Sequence, residues 1–270
     1  MTRTEHATEP VDLAVTCRGL TVTYGGHTAL RDLDLDLPAG RVTAVIGPNG
    51  SGKSTFLGVL SGLLAPAAGS LEVLGRRPAE ARRRVAHVLQ TTSANAAIPL
   101  TVRETVRMGA YGNRGWFRRL TAADRAAVEG AIDRLQVRDL VSRQLVELSG
   151  GQRQRAYVAQ GLAQRADLLL LDEPITGLDL VTQDAITEVV ASEAADGRTV
   201  VLTTHDVGTA GLADHVVLLN TTLVASGPPE LVLRPEVLAR AYGEHAHVLR
   251  DGTLVIDEAH HHDHRHHDQL

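Results

Sequence analysis

The stretch Gly47-Pro48-Asn49-Gly50-Ser51-Gly52-Lys53-Ser54-Thr55 decides the fold. It follows Val42-Thr43-Ala44-Val45-Ile46, which reads as a buried strand, and opens a run from Ser54 to Leu64 that places Phe56, Leu57, Val59, Leu60, Leu63 and Leu64 on one helical side. Strand, glycine-rich loop and helix in that order make an anion nest: glycines let backbone N–H groups point inward at a helix N-terminus. The pattern G-x-x-x-x-G-K-[ST] then assigns Lys53 to β/γ-phosphate charge and the Ser54 hydroxyl to Mg²⁺. Lys53 is the only lysine in the chain, and arginine stands at every other Lys/Arg position. A compact ammonium reaches phosphate from inside such a turn, whereas a planar guanidinium fits poorly.

The composition narrows the classes around this loop. At 270 residues the chain holds one large domain or two small ones, and 43% hydrophobic residues suffice for a substantial core. Aromatics are only 3%, so base-stacking platforms are not expected, and a net charge of −5 gives no global basic surface for nucleic acid. The cluster Arg82-Arg83-Arg84 reads as a solvated face. No apolar run approaches the roughly 18 residues of a membrane span. The polar start Met1-Thr2-Arg3-Thr4-Glu5 lacks a signal-peptide core, and the single Cys17 has no cysteine partner. These features predict a cytoplasmic protein.

Along the chain, Val11 to Leu37 reads as short alternating strands, with Leu33-Asp34-Leu35-Asp36-Leu37 half buried. Pro66 to Gly69 make a turn, and Leu71–Leu74 and Val85–Leu89 are strands, the second ending at Gln90. From Leu100 the reading is helical, and Thr121 with Asp124 caps a helix whose apolar positions include Val128, Ile132 and Leu135. A second α/β section holds the strands Leu168–Leu171 and Thr199–Thr204, ending in Asp172-Glu173 and His205. Asp251-Gly252 marks a hairpin. The expected organisation is an α/β nucleotide-binding core preceded by a β-rich layer and interrupted by a helical insertion.

Two further stretches carry chemistry. In Ser149-Gly150-Gly151-Gln152, before the helical run Arg153 to Arg165, adjacent glycines expose N–H groups at a helix start and Ser149 adds a hydroxyl, a second phosphate-binding surface. One nucleotide does not need two such surfaces from one chain. After the buried Leu168–Leu171, Asp172 can hold Mg²⁺ through water and Glu173 can polarise an attacking water.

In this order the motifs resemble the ATP-binding cassette (ABC) transporter nucleotide-binding subunit, over roughly residues 13–242. The resemblance implies a P-loop NTPase (RecA-like) core with an N-terminal antiparallel β subdomain and an inserted α-helical signature subdomain at about 91–163. The cassette would span 11–258, between a flexible 1–10 and a tail at 259–270. It further implies that Tyr24 stacks on adenine, Gln90 senses Mg²⁺ and the γ-phosphate, Asp179 lies across a dimer interface, and His205 contacts the γ-phosphate beside Glu173. Ser149 and Gly151 of one chain would close over ATP held by Lys53 of another, in a head-to-tail homodimer at the cytoplasmic face of a membrane permease.

Tyr24-Gly25-Gly26-His27, Leu100 to Tyr111, Asp172 to Asp179, Val217 to Asn220 and Gly227 to Gly243 look more specifically like zinc/manganese importer ATPases, with an extracytoplasmic metal-binding protein as third component. His260, His261, His262, His264, His266 and His267 hold six of the 13 histidines, a set able to bind Zn²⁺ as a metal buffer or sensor. The alternatives are a neutral tail or a purification tag, and the interrupting Asp263 and Arg265 and the ending Asp268-Gln269-Leu270 argue against the tag. Importers of cobalamin, siderophores or other small molecules, and exporters, would share every catalytic residue. A repair or ribosome ATPase would need a long coiled-coil insertion or a second cassette. A vestigial cassette is disfavoured, since a competent residue occupies each catalytic position.

Overall fold

A computed structural model describes residues 12–90, 99–112 and 119–243, with the backbone of two short strands at 246–248 and 254–256. Two sheets form the frame. The first is antiparallel: β1 (Leu13–Tyr24) and β2 (His27–Pro38) form a long hairpin, and β4 (Ala68–Val73) pairs on the far side of β1. Gly25 and Gly26 take φ of +57° and +77° between the paired Tyr24 and His27, the two left-handed residues that a tight hairpin turn demands. Leu33, Leu35 and Leu37 are buried while Asp34 faces outward, as strict alternation requires.

The second sheet has the order β5 (Val85–Val88), β6 (Leu168–Leu171), β7 (Thr199–Thr203), β3 (Val42–Ile46), β8 (His215–Asn220), β9 (Thr222–Gly227), parallel except for β9. The central strands β3, β6 and β7 are buried on both faces, which accounts for their apolar runs. Alternation sorts them into two cores. Val45, Leu168, Leu170, Val201 and Val217 pack with the antiparallel sheet and α1 (Lys53–Leu60). Ala44, Leu169, Leu171, Val200 and Leu218 pack on the other side with α3 (Val102–Tyr111), α4 (Ala122–Arg134), α5 (Gly150–Ala163) and α6 (Leu180–Ala195). Each leucine fully withdrawn from water here contributes about 1.5–3 kcal/mol. The short helices α2 (Pro78–Ala81), α7 (Val207–Ala210), α8 (Pro229–Val232) and α9 (Pro235–Tyr242) border the sheets, and β10 (Ala246–Val248) pairs with β11 (Leu254–Ile256) in the hairpin expected around Asp251-Gly252.

The helical layer follows its sequence signals. Thr121 and Asp124 form a reciprocal capping box at α4, and Val128, Ile132 and Leu135 are buried. Thr101 and Glu104 form another at α3. Buried Glu193 of α6 bonds Arg134 of α4 and Arg198, tying the helical layer to the sheet core through one carboxylate.

Two expectations are corrected. The helix after the phosphate loop stops at Leu60, so Leu63 is 59% exposed instead of joining its apolar face. Gly62 at φ +70° bonds Val59 O and Leu63 N–H bonds Gly58 O, a Schellman termination that only glycine enters freely. The region read as a turn at Pro66 to Gly69 already contributes to a strand, since β4 begins at Ala68. Residues 1–11, 91–98 and 257–270, with the histidine-rich tail, lie outside the described residues.

Candidate functional site

The carboxyl ends of β3, β5, β6 and β7 lie along one edge of the parallel sheet, the edge where open α/β sheets bind ligands. The glycine loop leaves β3 there. Gly47 has φ +151°, and a Cβ on it would stand 2.0 Å from Leu219 O; a Cβ on Gly52, at φ +99°, would stand 2.6 Å from Ala29 O. The loop is therefore clamped between β2 and β8 by backbone contacts that no side chain can enter. Thr221 N–H to Ser51 O at 2.9 Å fastens it from beneath. Asn49 and Gly50 at the tip are exposed, beside Pro48.

Lys53 Nζ is folded into its own loop, donating to Gly47 O at 2.8 Å and Pro48 O at 3.1 Å. This poses the ammonium at the mouth of the nest. Thr55 Oγ1 meets the Tyr24 hydroxyl at 3.3 Å, which brings the tip of the β1–β2 hairpin onto the loop and leaves the Tyr24 side chain 54% exposed.

Asp172 and Glu173 arrive from β6. Ser54 Oγ donates to Asp172 Oδ1 at 3.2 Å, so the hydroxyl and carboxylate expected at Mg²⁺ are already neighbours. Hard oxygen donors of this kind suit Mg²⁺. The residues present therefore fit that ion. Gln90 Nε2 donates to Glu173 Oε2 at 2.9 Å, and Glu173 itself sits at φ +47°.

His205 follows β7 in a built turn. Thr204 N–H bonds Val45 O at 3.1 Å, and Asp206 N–H bonds Thr204 Oγ1 at 3.0 Å. Asp206 then caps α7; burial alone would push its carboxyl up, but the Thr209 hydroxyl and N–H and the Gly208 N–H hold it below the usual range. His205 is left half-buried on the same edge as Glu173.

The other anion surface is elsewhere. Ser149 caps α5, its Oγ accepting from Gln152 N–H at 3.3 Å while Gln152 Oε1 accepts from Ser149 N–H at 3.1 Å. Gly150 is exposed, and a Cβ there would meet nothing within 4 Å. A Cβ on Gly151 would lie 3.2 Å from Asp179 Oδ2, so Asp179 abuts this helix start while capping α6 through Thr182 N–H at 3.0 Å. Those Thr182 N–H and hydroxyl bonds hold the Asp179 carboxyl below its usual range. Since α5 packs in the core opposite α1, the sheet separates the two helices whose starts are the expected anion surfaces.

Thr203 was not anticipated from sequence. Its Oγ1 donates to Asp172 Oδ1 at 2.6 Å and accepts from Glu173 N–H at 2.8 Å. The one available signal was a hydroxyl residue closing the strand after the apolar Val200, Val201 and Leu202.

Among the described residues, no group of three or more His, Cys, Asp or Glu could hold a metal ion, and no helix is long and apolar enough to cross a membrane. The six tail histidines lie outside that set.

A protein-family model described as ABC transporter matches residues 30–176. The zinc transport system ATP-binding protein TroB of Treponema pallidum (strain Nichols) is 40% identical over 231 residues, 85% of this chain and 87% of TroB. The chelated iron transport system membrane protein YfeB of Yersinia pestis is 38% identical over 244 residues, 88% of this chain and 82% of YfeB. The manganese transport system ATP-binding protein MntB of Bacillus subtilis (strain 168) is 36% identical over 237 residues, 87% and 95% of the two chains. A solved ABC transporter structure, described as of the metal-chelate type and inward-facing, superposes with a TM-score of 0.74 at 30% identity, covering 90% of this chain and 95% of that one. With a clamped phosphate loop, paired carboxylates and a glycine-led signature helix in one α/β frame, this chain belongs to the ABC transporter family, as an ATPase subunit that couples ATP hydrolysis to transport.

Proposed function

We propose that the chain powers import of a divalent transition metal, zinc first and manganese second, through a partner membrane permease. The observation that carries this reading is the likeness, over more than four-fifths of the chain, to relatives named for zinc and manganese transport. A relative named for chelated iron belongs to the same set. The zinc preference draws on the histidine-rich stretch His260 to His267, whose imidazoles suit Zn²⁺ as a buffer or sensor. An extracytoplasmic metal-binding protein would deliver the ion, and the cassette, spanning 11–258 with its helical section at about 91–163, would sit at the cytoplasmic face of the permease.

ABC cassettes work as dimers with permease subunits. Two features support a head-to-tail arrangement here: the sheet separates the two helices bearing the anion surfaces, and Leu180 and Val181 beside Asp179 are 76% and 71% exposed. In the closed dimer Ser149, Gly150 and Gly151 of one chain meet the phosphates cradled by Gly47 to Thr55 of the other, with Tyr24 against the base.

Lys53 exchanges its loop carbonyls for phosphate oxygens when ATP enters. Magnesium, held by Ser54 and Asp172 with Gln90 nearby, would offset charge on the phosphate oxygens. Glu173 orients water in line with the γ-phosphate and takes its proton, while His205 holds the γ-phosphate side. A cleft of about 380 Å³ between Leu89 of the β5 end, Met108 of α3 and Tyr157 of α5 is the place where a permease segment would feel Gln90 move.

The test measures cellular zinc and manganese by mass spectrometry in a deletion strain under chelation, complemented with the intact chain or one ending at Ala259. A zinc deficit restored by the intact chain supports import, and failure of the shortened chain gives the tail its role. Unchanged metals with the protein expressed would sink the metal reading and leave the ATPase standing.

A further inference from the structure

We propose that Thr203 is a positioning residue for ATP hydrolysis, its single hydroxyl fixing both the side chain of Asp172 and the backbone of Glu173. The proposal rests on the roles given above to those two carboxylates.

Strand register brings the three residues together. Parallel pairing sets Leu171 opposite Leu202 and Val45 opposite Thr203, so Thr203 stands between the strand that delivers the carboxylates and the strand that feeds the phosphate loop. Its neighbour two back, Val201, packs in the α1 core with Leu170, two before Asp172. Side chains alternate along strands, so Thr203 and Asp172 share that face. Thr203 is fully buried.

A hydroxyl has one proton to give and two lone pairs to offer. The Glu173 backbone N–H can only donate, so at 2.8 Å the Thr203 Oγ1 must accept. The Asp172 carboxylate can only accept, so at 2.6 Å it receives the Thr203 proton. A single orientation of the hydroxyl satisfies both partners at once. Ser54 and Thr203 both donate to Oδ1 of Asp172, which pins one carboxylate rotamer and, among the described residues, leaves Oδ2 without a hydroxyl donor.

The bond to Glu173 acts on the backbone. A φ of +47° is the left-handed region, where a residue with a Cβ is disfavoured by about 1–2 kcal/mol. The N–H held by Thr203 opposes relaxation of that turn, and the turn carries the Glu173 carboxylate to Gln90. Loss of the hydroxyl would loosen an ion-holding and a water-orienting group together, while the phosphate loop's backbone stays held by Ala29, Leu219 and Thr221.

Thr203→Val keeps the shape and suits a strand but has no hydroxyl. Its kcat is expected to fall about 10- to 100-fold, the scale of a small misplacement of reacting groups. KM for ATP should stay near wild type, and the Mg²⁺ concentration giving half-maximal rate should rise. Thr203→Ser should restore all three values. A readout free of turnover is amide hydrogen exchange at Glu173 in the nucleotide-free chain: protected in wild type and Thr203→Ser, fast in Thr203→Val. Should the valine variant not fold, Thr203→Ala carries the same expectations.

Wild-type kcat and Mg²⁺ dependence in a folded hydroxyl-free variant would overturn the proposal, as would a serine variant that behaves like valine. Glu173→Gln run alongside separates the two levels. If that variant hydrolyses ATP normally, the catalytic assignment of Glu173 fails, whereas slow turnover there with a normal Thr203→Val rejects Thr203 alone.

Discussion

Gln90 and Glu173 lie 83 residues apart in the chain, and the Gln90 side-chain amide donates to the Glu173 carboxylate at 2.9 Å. Adjacent parallel strands β5 and β6 end side by side, so the last residue past one meets the last past the other. The bond gives the Glu173 carboxylate a fixed direction.

Glu173→Gln retains an oxygen that accepts from Gln90 but cannot take a proton from water. It is expected to bind ATP like wild type, to lose about 10²- to 10⁴-fold in turnover, and to accumulate as a dimer in ATP. Phosphate release and size-exclusion chromatography with ATP check this; undiminished hydrolysis would count against the assignment.

Gly47→Ala places a Cβ 2.0 Å from Leu219 O, so β8 or the loop must shift. Nucleotide binding should weaken at least about tenfold, since a 1.4 kcal/mol loss suffices for that, and the melting temperature should fall. Gly150→Ala has open space and should melt like wild type. Equal melting of both variants would refute the clamped loop.

Burial pushes the Cys17 thiol up to about 11, and the residue is 0% exposed on β1, the middle strand between β2 and β4. The thiolate is the reactive form. A thiol reagent at pH 8 should leave the native chain unmodified and label one site per chain in denaturant. Rapid labelling of the native protein would contradict the packing of β1.

Burial also holds the His87 imidazole below its ordinary 6.5, although Asp172 pulls it upward. Below about pH 6.5 the unfolded chain takes a proton that the folded chain resists. The stabilisation from this histidine is thus complete above that pH and is lost as pH falls. The urea midpoint should drop between pH 7.5 and 5.5, and His87→Leu should flatten that drop. His215, lowered by burial in the same direction, keeps a remaining slope in the variant. An unchanged slope in His87→Leu would remove His87 from the account.

The sequence by itself determined the phosphate loop, the signature helix start, the carboxylate pair and the capping box at Thr121, because each is built from a few consecutive residues whose backbone geometry is local. It also located the buried strands at Val42 to Ile46, Leu168 to Leu171 and Thr199 to Thr203, since short unbroken apolar runs that end in turn or polar residues suit strands covered on both faces. Tertiary structure alone decided which residues meet. Thr203 reaches Asp172 across 31 residues and Ser54 reaches it across 118, through strand register that side-chain packing on two faces sets and no short window encodes. The early end of α1 was likewise settled by packing, where Leu64 lies over Gly58 once Gly62 turns the chain. So too was the division of alternate residues of each central strand between two cores, which sets α1 and α5 on opposite sides of the sheet.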